Sequence, residues 1–417
     1  MRATLEGAPM KIRTLISTCA AALALAVGCH SKGDAGPAAA ATSDKLVLGA
    51  SLSMTGALAR EGTLTREGYE LCASVVNGKG GVPVGDKKLK LEIQYQDDTS
   101  KPDTAAQLVD QFNDKGVKLI LGPYGSATTE AAAAVVERNG QVMADSAGAD
   151  DKIFQKNYRR TFAVLSPATL YVASMVQAIA DLAQPRPTTL AFISADDGFS
   201  KTATNAGIAR AQQLGFQVVA EEYVPNASSD VSSALTKIKP KNPDVIIGSA
   251  HVVESIAIVR QSLELGLAPL AFAETIAPQT PDFVKALGPA SEGVLGSTQW
   301  TPKTLGKDKW FGTASDYAAL YSKTFAGRVP AYQNAEATAA CLALITAVEK
   351  AGSTDPNKVR DELAKLDEQT FFGPIKFSPQ GQNLVKPMAV IQVQGGRVVG
   401  VWPKASAEAP LKWPAKG

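Results

Sequence analysis

Hydrophobic and polar positions along this chain follow two periods that alternate. Lys45–Ala50 is a short apolar run suited to a buried strand. Leu64–Val76 then sets Leu64, Tyr69, Leu71, Cys72 and Val75 at helical spacing, until Asn77-Gly-Lys-Gly-Gly81 stops it. Leu89–Tyr95 alternates with period two, as a half-exposed edge strand would, and Asp97-Asp-Thr-Ser100 leads into a helix over Asp103–Asp114. Val117–Gly122 predicts a buried strand, Tyr124–Thr129 a turn, Glu130–Arg138 an alanine-rich helix, Gln141–Ala144 a strand, and Ser146–Asp150 a second turn.

After a charged connector the pattern restarts. It predicts helices over Pro167–Leu182, Lys201–Leu214, Asp230–Ile238 and Glu254–Leu265, interleaved with strands at Thr189–Ile193, Phe216–Tyr223, Asp244–Gly248 and Leu270–Ala273. From Pro302 the chain turns helical, through Asp308–Phe325, Tyr332–Ala351 and Asn357–Leu366. It closes on strands at Phe372–Phe377, Val385–Val393 and Val398–Pro403. Strand–helix alternation of this length predicts an α/β protein with two parallel-sheet domains, because ~370 residues exceed what one core usually organises. If the late elements return to both domains, several crossovers join them, which is how a hinge is built.

The N-terminus reads as a leader. Met10-Lys-Ile-Arg13 is a basic stretch before the small and apolar Thr14–Val27. Leu25-Ala-Val-Gly-Cys29 resembles a bacterial lipobox, which implies a lipidated Cys29 as mature N-terminus, although Ala26 stands where leucine is usual. A plain signal peptide cut elsewhere, or a membrane helix, is the competing reading. Residues 1–9 lack signal-peptide character, so Met10 competes with Met1 as the start. His30–Asp44 has no periodicity and reads as a flexible tether. The chain carries 42 Lys and Arg against 40 Asp and Glu. Arg2, Lys11, Arg13 and Glu6 leave with the leader, so the mature body is formally neutral. Nothing in that balance argues for nucleic acid or a charged membrane surface.

Four cysteines are too few for a disulfide scaffold. Cys19 falls in the leader and Cys29 is the lipid site. Cys72 and Cys341 lie in apolar helical runs, where buried thiols are expected, and an exported compartment also permits a bridge between them.

Motifs for catalysis are missing. The chain has no Gly-x-Ser-x-Gly elbow, no Gly-x-Gly-x-x-Gly after the first strand and no phosphate-binding loop. A lone histidine in the folded body, His251, cannot build the usual zinc site. Asp97-Asp98 and Asp196-Asp197 sit at strand ends before helices, where capping explains them. No nucleophile–base pair stands out and no cofactor motif is present, so binding without turnover is the better reading. The glycine-containing turns after Leu121 and Asp145 are its candidate site, since open α/β sheets bind ligands beyond the C-terminal ends of their strands.

From about Lys45 to Pro403 the chain resembles the branched-chain amino acid (Leu/Ile/Val) type of periplasmic binding protein, the type I solute-binding proteins of ABC importers. The matching pieces are Leu52-Ser-Met-Thr-Gly56, Asn77-Gly-Lys-Gly-Gly-Val82, Gly122–Thr129, Lys237-Ile-Lys-Pro-Lys-Asn-Pro-Asp244, Ile256–Gln261 and Phe377-Ser-Pro-Gln-Gly381. Their order and spacing carry the likeness. It implies two Rossmann-like parallel-sheet lobes joined by a hinge. The first would be residues 45–160 with about 300–366, the second 161–299 with about 367–403, and 404–417 a tail.

The resemblance also implies a site. Ser126, Thr128 and the backbone near Tyr124 would hold a ligand carboxylate. The turn with Ser146, Ala147, Gly148 and Asp150 would help to grip carboxylate and ammonium, with Asp150 where the family often has threonine. Phe199 would cap the ligand, His251 would line the cleft, and Glu274 would neutralise the ammonium. Glu61, Asp150 and Glu274 disfavour a purely apolar pocket, so a polar or cationic amino acid or an amide stands beside leucine, isoleucine and valine. The implied partner is an inner-membrane ABC permease, with the lipid holding a monomer at the membrane on the periplasmic or cell-surface side. A sensor of the same fold and an exported α/β hydrolase remain alternatives.

Overall fold

The computed structural model describes residues 44–415. The leader, Cys29 and the tether as far as Ser43 lie outside the described residues.

Two sheets organise the chain. The first takes β1 (Lys45–Leu52), β2 (Val82–Val84), β3 (Lys87–Asp97), β4 (Leu119–Leu121), β5 (Val142–Asp145) and β6 (Thr161–Ala163) in the order β2-β3-β1-β4-β5-β6. All pairs are parallel except the short β2–β3 hairpin. Its helices are α1 (Ala59–Gly78), α2 (Pro102–Asp114), α3 (Ser126–Asn139) and the single turn α4 (Asp151–Phe154). The second sheet takes β7 (Thr189–Ala195), β8 (Gln217–Val224), β9 (Val245–Ser249), β10 (Ala271–Glu274) and β11 (Leu295–Thr298), all parallel. Helix α5 (Tyr171–Leu182) precedes β7, and between these strands run α6 (Gly198–Gln213), α7 (Ser232–Ile238), α8 (Val252–Glu264) and α9 (Pro281–Leu287).

Past β11 come two small hairpins, β12 (Lys307–Asp308) with β13 (Gly312–Thr313) and β14 (Asp367–Thr370) with β15 (Gly373–Lys376). Helices α10 (Ala314–Thr324), α11 (Tyr332–Ala351) and α12 (Pro356–Ala364) lie among them. Strands β16 (Ala389–Gln394) and β17 (Arg397–Trp402) then extend the second sheet antiparallel, in the order β17-β16-β11-β10-β9-β7-β8.

The long helix α11 returns to the first lobe. Its Thr338 hydroxyl donates to Gly68 O at 2.8 Å, and a Cβ at Gly68 would meet Asn334 O at 2.2 Å, so α1 and α11 run in close contact. A disulfide joins them, Cys72 to Cys341. The expectation of two buried thiols is therefore corrected to a bridge. The two residues lie 269 apart in sequence, and only the packing of α11 on α1 brings them together. Closing so long a loop typically contributes about 2–5 kcal/mol.

Several helices begin earlier than periodicity predicts. Helix α1 starts at Ala59 rather than Leu64, α3 at Ser126 rather than Glu130, and α6 at Gly198 rather than Lys201. The first turns of α1 and α3 are made of small or polar residues that carry no apolar period, and that of α6 has a single large apolar residue, Phe199, between Gly198 and Ser200. At α6 the Asp197 carboxylate accepts from Ser200 N at 2.9 Å and caps the helix. The strand expected over Phe372–Phe377 shrinks to β15, apart from both large sheets.

Three segments cross between the sheets and are tied to one another. Ser166 N donates to Gln299 Oε1 at 3.0 Å, and Ser166 Oγ donates to Lys386 O at 2.9 Å. Lys386 Nζ donates to Gln299 O and to Phe372 O, both at 2.7 Å, and lies over the Phe372 ring at 3.9 Å. A buried lysine thus fastens the hinge.

Candidate functional site

The first sheet reverses its direction of growth between β1 and β4, and the second between β7 and β9. Ligands in open α/β folds sit beyond the strand ends at such points. In this chain the residues following the C-terminal ends of β4, β5, β6, β7, β9 and β10 meet around one cavity. They are Tyr124, Gly125 and Ser126; Ala147 and Ala149; Leu165; Phe199; His251; and Ile276. Tyr171 joins from α5, and Tyr332 and Glu336 from α11. The lobes are pressed together, leaving ≈ 10 Å³, about the room that one water needs. Anything larger must part them. Hollows of ≈ 690 Å³ beside Trp310 and of ≈ 550 Å³ beside Trp300 are surface grooves away from these strand ends.

One pole of the cavity favours an anion. Gly125, at φ +95°, precedes α3 and offers no side chain to cap it, so the first N–H groups of that helix stand open beside Ser126. Ser126 Oγ accepts from Asp150 N at 3.0 Å, which leaves its proton free to donate.

Buried carboxylates stand in and behind the rest of the lining. Glu274 is fully buried with neither oxygen in close hydrogen-bond contact, and the Ser255 hydroxyl is the side-chain donor that acts on it. It lies over Gly248, where a Cβ would come within 2.0 Å of Glu274 Oε2. The glycine makes room for the acid. Glu336 is 1 % exposed and its Oε2 is likewise unpartnered. Glu61, also buried, lies against the backbone N–H of Val252 from the other lobe, and one of its oxygens is unpartnered. Burial pushes Glu61 above the usual carboxylate range, and Glu274 and Glu336 well above it. Desolvation alone would lower the His251 imidazole, but Asp197, 3.5 Å away, with Glu61 and Glu254 behind it, holds it up at about 9. His251 therefore stands as an imidazolium at neutral pH.

Aromatic rings fill the middle. Phe199 meets Tyr171 edge-on at 5.0 Å between centroids and His251 at 5.9 Å. The Tyr332 hydroxyl lies beside those of Tyr124 and Tyr171, and Gln299 Nε2 donates to the Tyr171 hydroxyl at 2.8 Å.

Of the residues expected in the site, Tyr124, Ser126, Ala147, Phe199 and His251 line this cavity. Thr128 is not among the lining residues; its hydroxyl donates to Tyr124 O at 2.6 Å and Gly125 O at 2.8 Å, within the first turn of α3. Ser146 bonds the Tyr69 hydroxyl at 2.8 Å, facing the core. The backbone N–H groups of Ala147 and Gly148 are held by Asp145 Oδ1 at 3.0 and 2.9 Å. Asp150 caps α4 through Lys152 N and reaches across to the Thr202 hydroxyl at 3.0 Å, so its carboxylate bridges the lobes. Glu274 sits behind the lining at Gly248. Tyr171, Tyr332 and Glu336 were not expected. Tyr171 and Tyr332 open α5 and α11 and Glu336 follows one turn into α11; both helices read as core, and no glycine marks these positions. Among the described residues no group of three or more His, Cys, Asp or Glu side chains is placed to hold a metal ion, and no helix is long and apolar enough to cross a membrane.

Two α/β lobes with their strand ends converging on one buried cavity, joined by three crossing segments, define a two-lobed binding protein. The family model for periplasmic binding proteins matches residues 45–397, and the chain belongs to that family. Among curated relatives, Leu/Ile/Val-binding protein homolog 8 of Brucella abortus is 24 % identical over 86 % of this chain and 91 % of its own length. A leucine-, isoleucine-, valine-, threonine- and alanine-binding protein of Pseudomonas aeruginosa is 23 % identical over 79 % of this chain and 84 % of its own. In solved structures, the leucine-binding protein LivK of Thermotoga maritima superposes with a TM-score of 0.75 at 23 % identity, covering 86 % of this chain and 98 % of that one. LivJ of Streptococcus pneumoniae, in complex with isoleucine, gives 0.74 at 20 %, covering 89 % and 100 %. The type I periplasmic binding protein fold is common to them. A solute-binding protein of R. palustris in complex with benzoate also superposes, at 0.73 and 16 % identity over 88 % of this chain and 98 % of that one, so the fold by itself does not name a ligand.

Proposed function

We propose that this chain is the extracytoplasmic solute-binding component of an ABC importer, which captures an amino acid between its lobes and presents the closed form to a membrane permease. One observation carries the reading: the cavity has an anion-favouring pole at Ser126 and the α3 N-terminus and an unpartnered buried carboxylate, Glu336, in its lining, with Glu274 buried behind that lining. That polarity complements a zwitterion. Relatives named for leucine, isoleucine, valine, threonine and alanine support the amino-acid class. The lipobox-like Leu25–Cys29 supports anchoring through Cys29.

Binding would act by differential contact. A ligand that touches both lobes favours the closed state over the open one by the contacts it makes only there. The small cavity means that entry requires opening about the Ser166–Gln299–Lys386 hinge. A thermal-shift screen against the twenty amino acids tests the reading. Ligand at ~1,000 Kd should add about 4 kcal/mol of stability. A screen in which no amino acid moves the melt rejects the amino-acid assignment.

A further inference from the structure

The neutral overall balance conceals an uneven distribution. The cavity lies beyond the C-terminal ends of the strands, and the opposite end of the first sheet is basic. The segments there are 44–45, 77–90, 114–118, 138–141, 155–160 and 352–358. They are the start of β1, the end of α1 with the β2–β3 hairpin, the entries to β4, β5 and β6, and the turn from α11 into α12. Packing brings the last of these to the same end: a Cβ at Gly352 would lie 3.8 Å from Gly85 N, and Arg160 Nη2 donates to Asn357 Oδ1 at 2.5 Å. Together the segments carry twelve Lys and Arg against four Asp, and no Glu. The loops that enter the parallel strands of the second sheet, 183–189, 214–217, 239–245, 265–271 and 288–295, carry three Lys and Arg against one Asp and one Glu. The excess belongs to one end of one lobe.

Few of these charges are used inside the fold. Lys45 pairs with Glu92 at 2.7 Å, Arg138 with Asp110 at 3.0 Å, and Lys156 with Glu130. Lys79 donates to the carbonyls of Lys309 and Trp310. Lys87, Lys88, Lys90, Lys115, Arg159 and Lys358 are exposed, and none of the six stands in an ion pair among the described residues. The acids Asp44, Asp86, Asp114 and Asp355 are spread singly over the loops. A hollow of ≈ 480 Å³ opens in this face. Lys45, Lys115 and Lys118 line it with Gln94 and Thr354, and no acid does. Ammonium, amide and hydroxyl donors around one recess suit a phosphate headgroup.

Chain connectivity decides what lies next to that face. Residues 30–44 link the proposed lipid at Cys29 to β1, and fifteen residues can span at most ~50 Å. They join the body at Lys45, on the basic end. We infer that this end of the first lobe rests on the anionic headgroups of the bilayer that holds the anchor, with the cleft turned outward toward incoming solute. The inference rests on the anchoring part of the reading above and goes beyond it. Exposed ammonium and guanidinium groups within a Debye length of a negative bilayer surface each add to the attraction. The cleft stays unobstructed, because it lies at the other end of the same strands.

Lysine acetylation read by mass spectrometry tests it, on the chain as processed in its host and reconstituted into vesicles. The vesicles are phosphatidylcholine alone or with about 30 % phosphatidylglycerol, at about 50 mM and about 500 mM salt. On anionic vesicles at low salt, Lys87, Lys88, Lys90, Lys115 and Lys118 should react at least about threefold more slowly than on neutral ones, while Lys239 and Lys241 of the second lobe keep their rates. High salt should erase the difference. Equal rates on both vesicles overturn the inference, as does protection centred on Lys239 and Lys241. Lys87→Glu with Lys88→Glu and Lys115→Glu changes only exposed side chains and should abolish the protection of Lys90 and Lys118. Protection that survives overturns this face as the contact. The wild-type rates decide even if the variant fails to fold. Flotation separates the anchor from the face. A chain that floats with anionic vesicles at low salt, and with neither kind at high salt, rejects the lipid at Cys29 and leaves the basic face standing. Protection by soluble polyphosphate with none on anionic vesicles assigns the face to a polyanion and overturns the lipid surface.

Discussion

The Asp150 backbone N–H donates to Ser126 Oγ at 3.0 Å, which fixes the hydroxyl as an acceptor on one side and leaves its proton to donate on the other. The donor then sits beside the open N–H groups of α3, where a carboxylate would be bound twice over. Ser126→Ala removes the donor and leaves the helix end. Affinity for the amino acid should fall by about tenfold to a hundredfold, the range for a lost hydrogen bond to a charged group. Calorimetry reads this, and an unchanged Kd would return the turn to a structural role.

Glu274 depends on the absence of a side chain at Gly248, where a Cβ would come within 2.0 Å of its carboxylate. Gly248→Ala should push the acid out of place and weaken ligand binding by at least about tenfold, with a modest fall in melting temperature of the kind overpacking produces. Wild-type affinity in this variant would show that Glu274 takes no part in the grip.

The His251–Asp197 pair makes stability depend on pH in a stated direction. The folded imidazole titrates at about 9 against an ordinary 6.5, so between those values the native state holds more protons than the unfolded one. Its contribution is full below pH 6.5 and is lost as the pH rises through 9. Asp197→Asn should move the imidazole titration, followed by NMR, down toward or below 6.5. A His251 resonance that already titrates near 6.5 in the wild type contradicts the pairing.

Lys386 runs the other way. Burial, offset in part by Glu336, lowers its ammonium to about 7 from 10.5, so between those values the unfolded state binds more protons. Its contribution to stability therefore rises as the pH climbs from 7 to 10.5. Lys386→Met should remove that rise. It should also destabilise the protein by about 1–3 kcal/mol through the orphaned Gln299 and Phe372 carbonyls, as read from denaturant melts at pH 7 and 9.5.

Much of the architecture was legible because strand and helix periods alternate cleanly and the glycine turns stand at strand ends. Ser126 and Phe199 could be found that way, each just past a buried strand. Thr128 and Ser146 are polar residues in the same turns, yet their hydroxyls are taken by Tyr124 O and Tyr69, partners that only the folded backbone supplies. Asp150 signalled a charged site by its type and instead bridges the lobes through Thr202. Tyr332 and Glu336 sit at the start of a helix where Gln333, Asn334 and Thr338 are buried as well, so polarity there does not separate the residues that line the cavity from those that pack α11 on α1. The Cys72–Cys341 bridge, likewise, depends on α1 meeting α11 across 269 residues, a distance no local pattern spans.

The central claim is that an amino acid occupies the cleft between the strand ends of the two sheets. A crystal structure of the full chain with the tightest-binding amino acid from the thermal screen addresses it directly. The lobes should be parted slightly from the ≈ 10 Å³ state, with the ligand carboxylate on Ser126 and the α3 N-terminus and its ammonium toward Glu336 and Glu274. Density for the ligand in either surface groove, with Ser126 and Glu274 untouched, would contradict it.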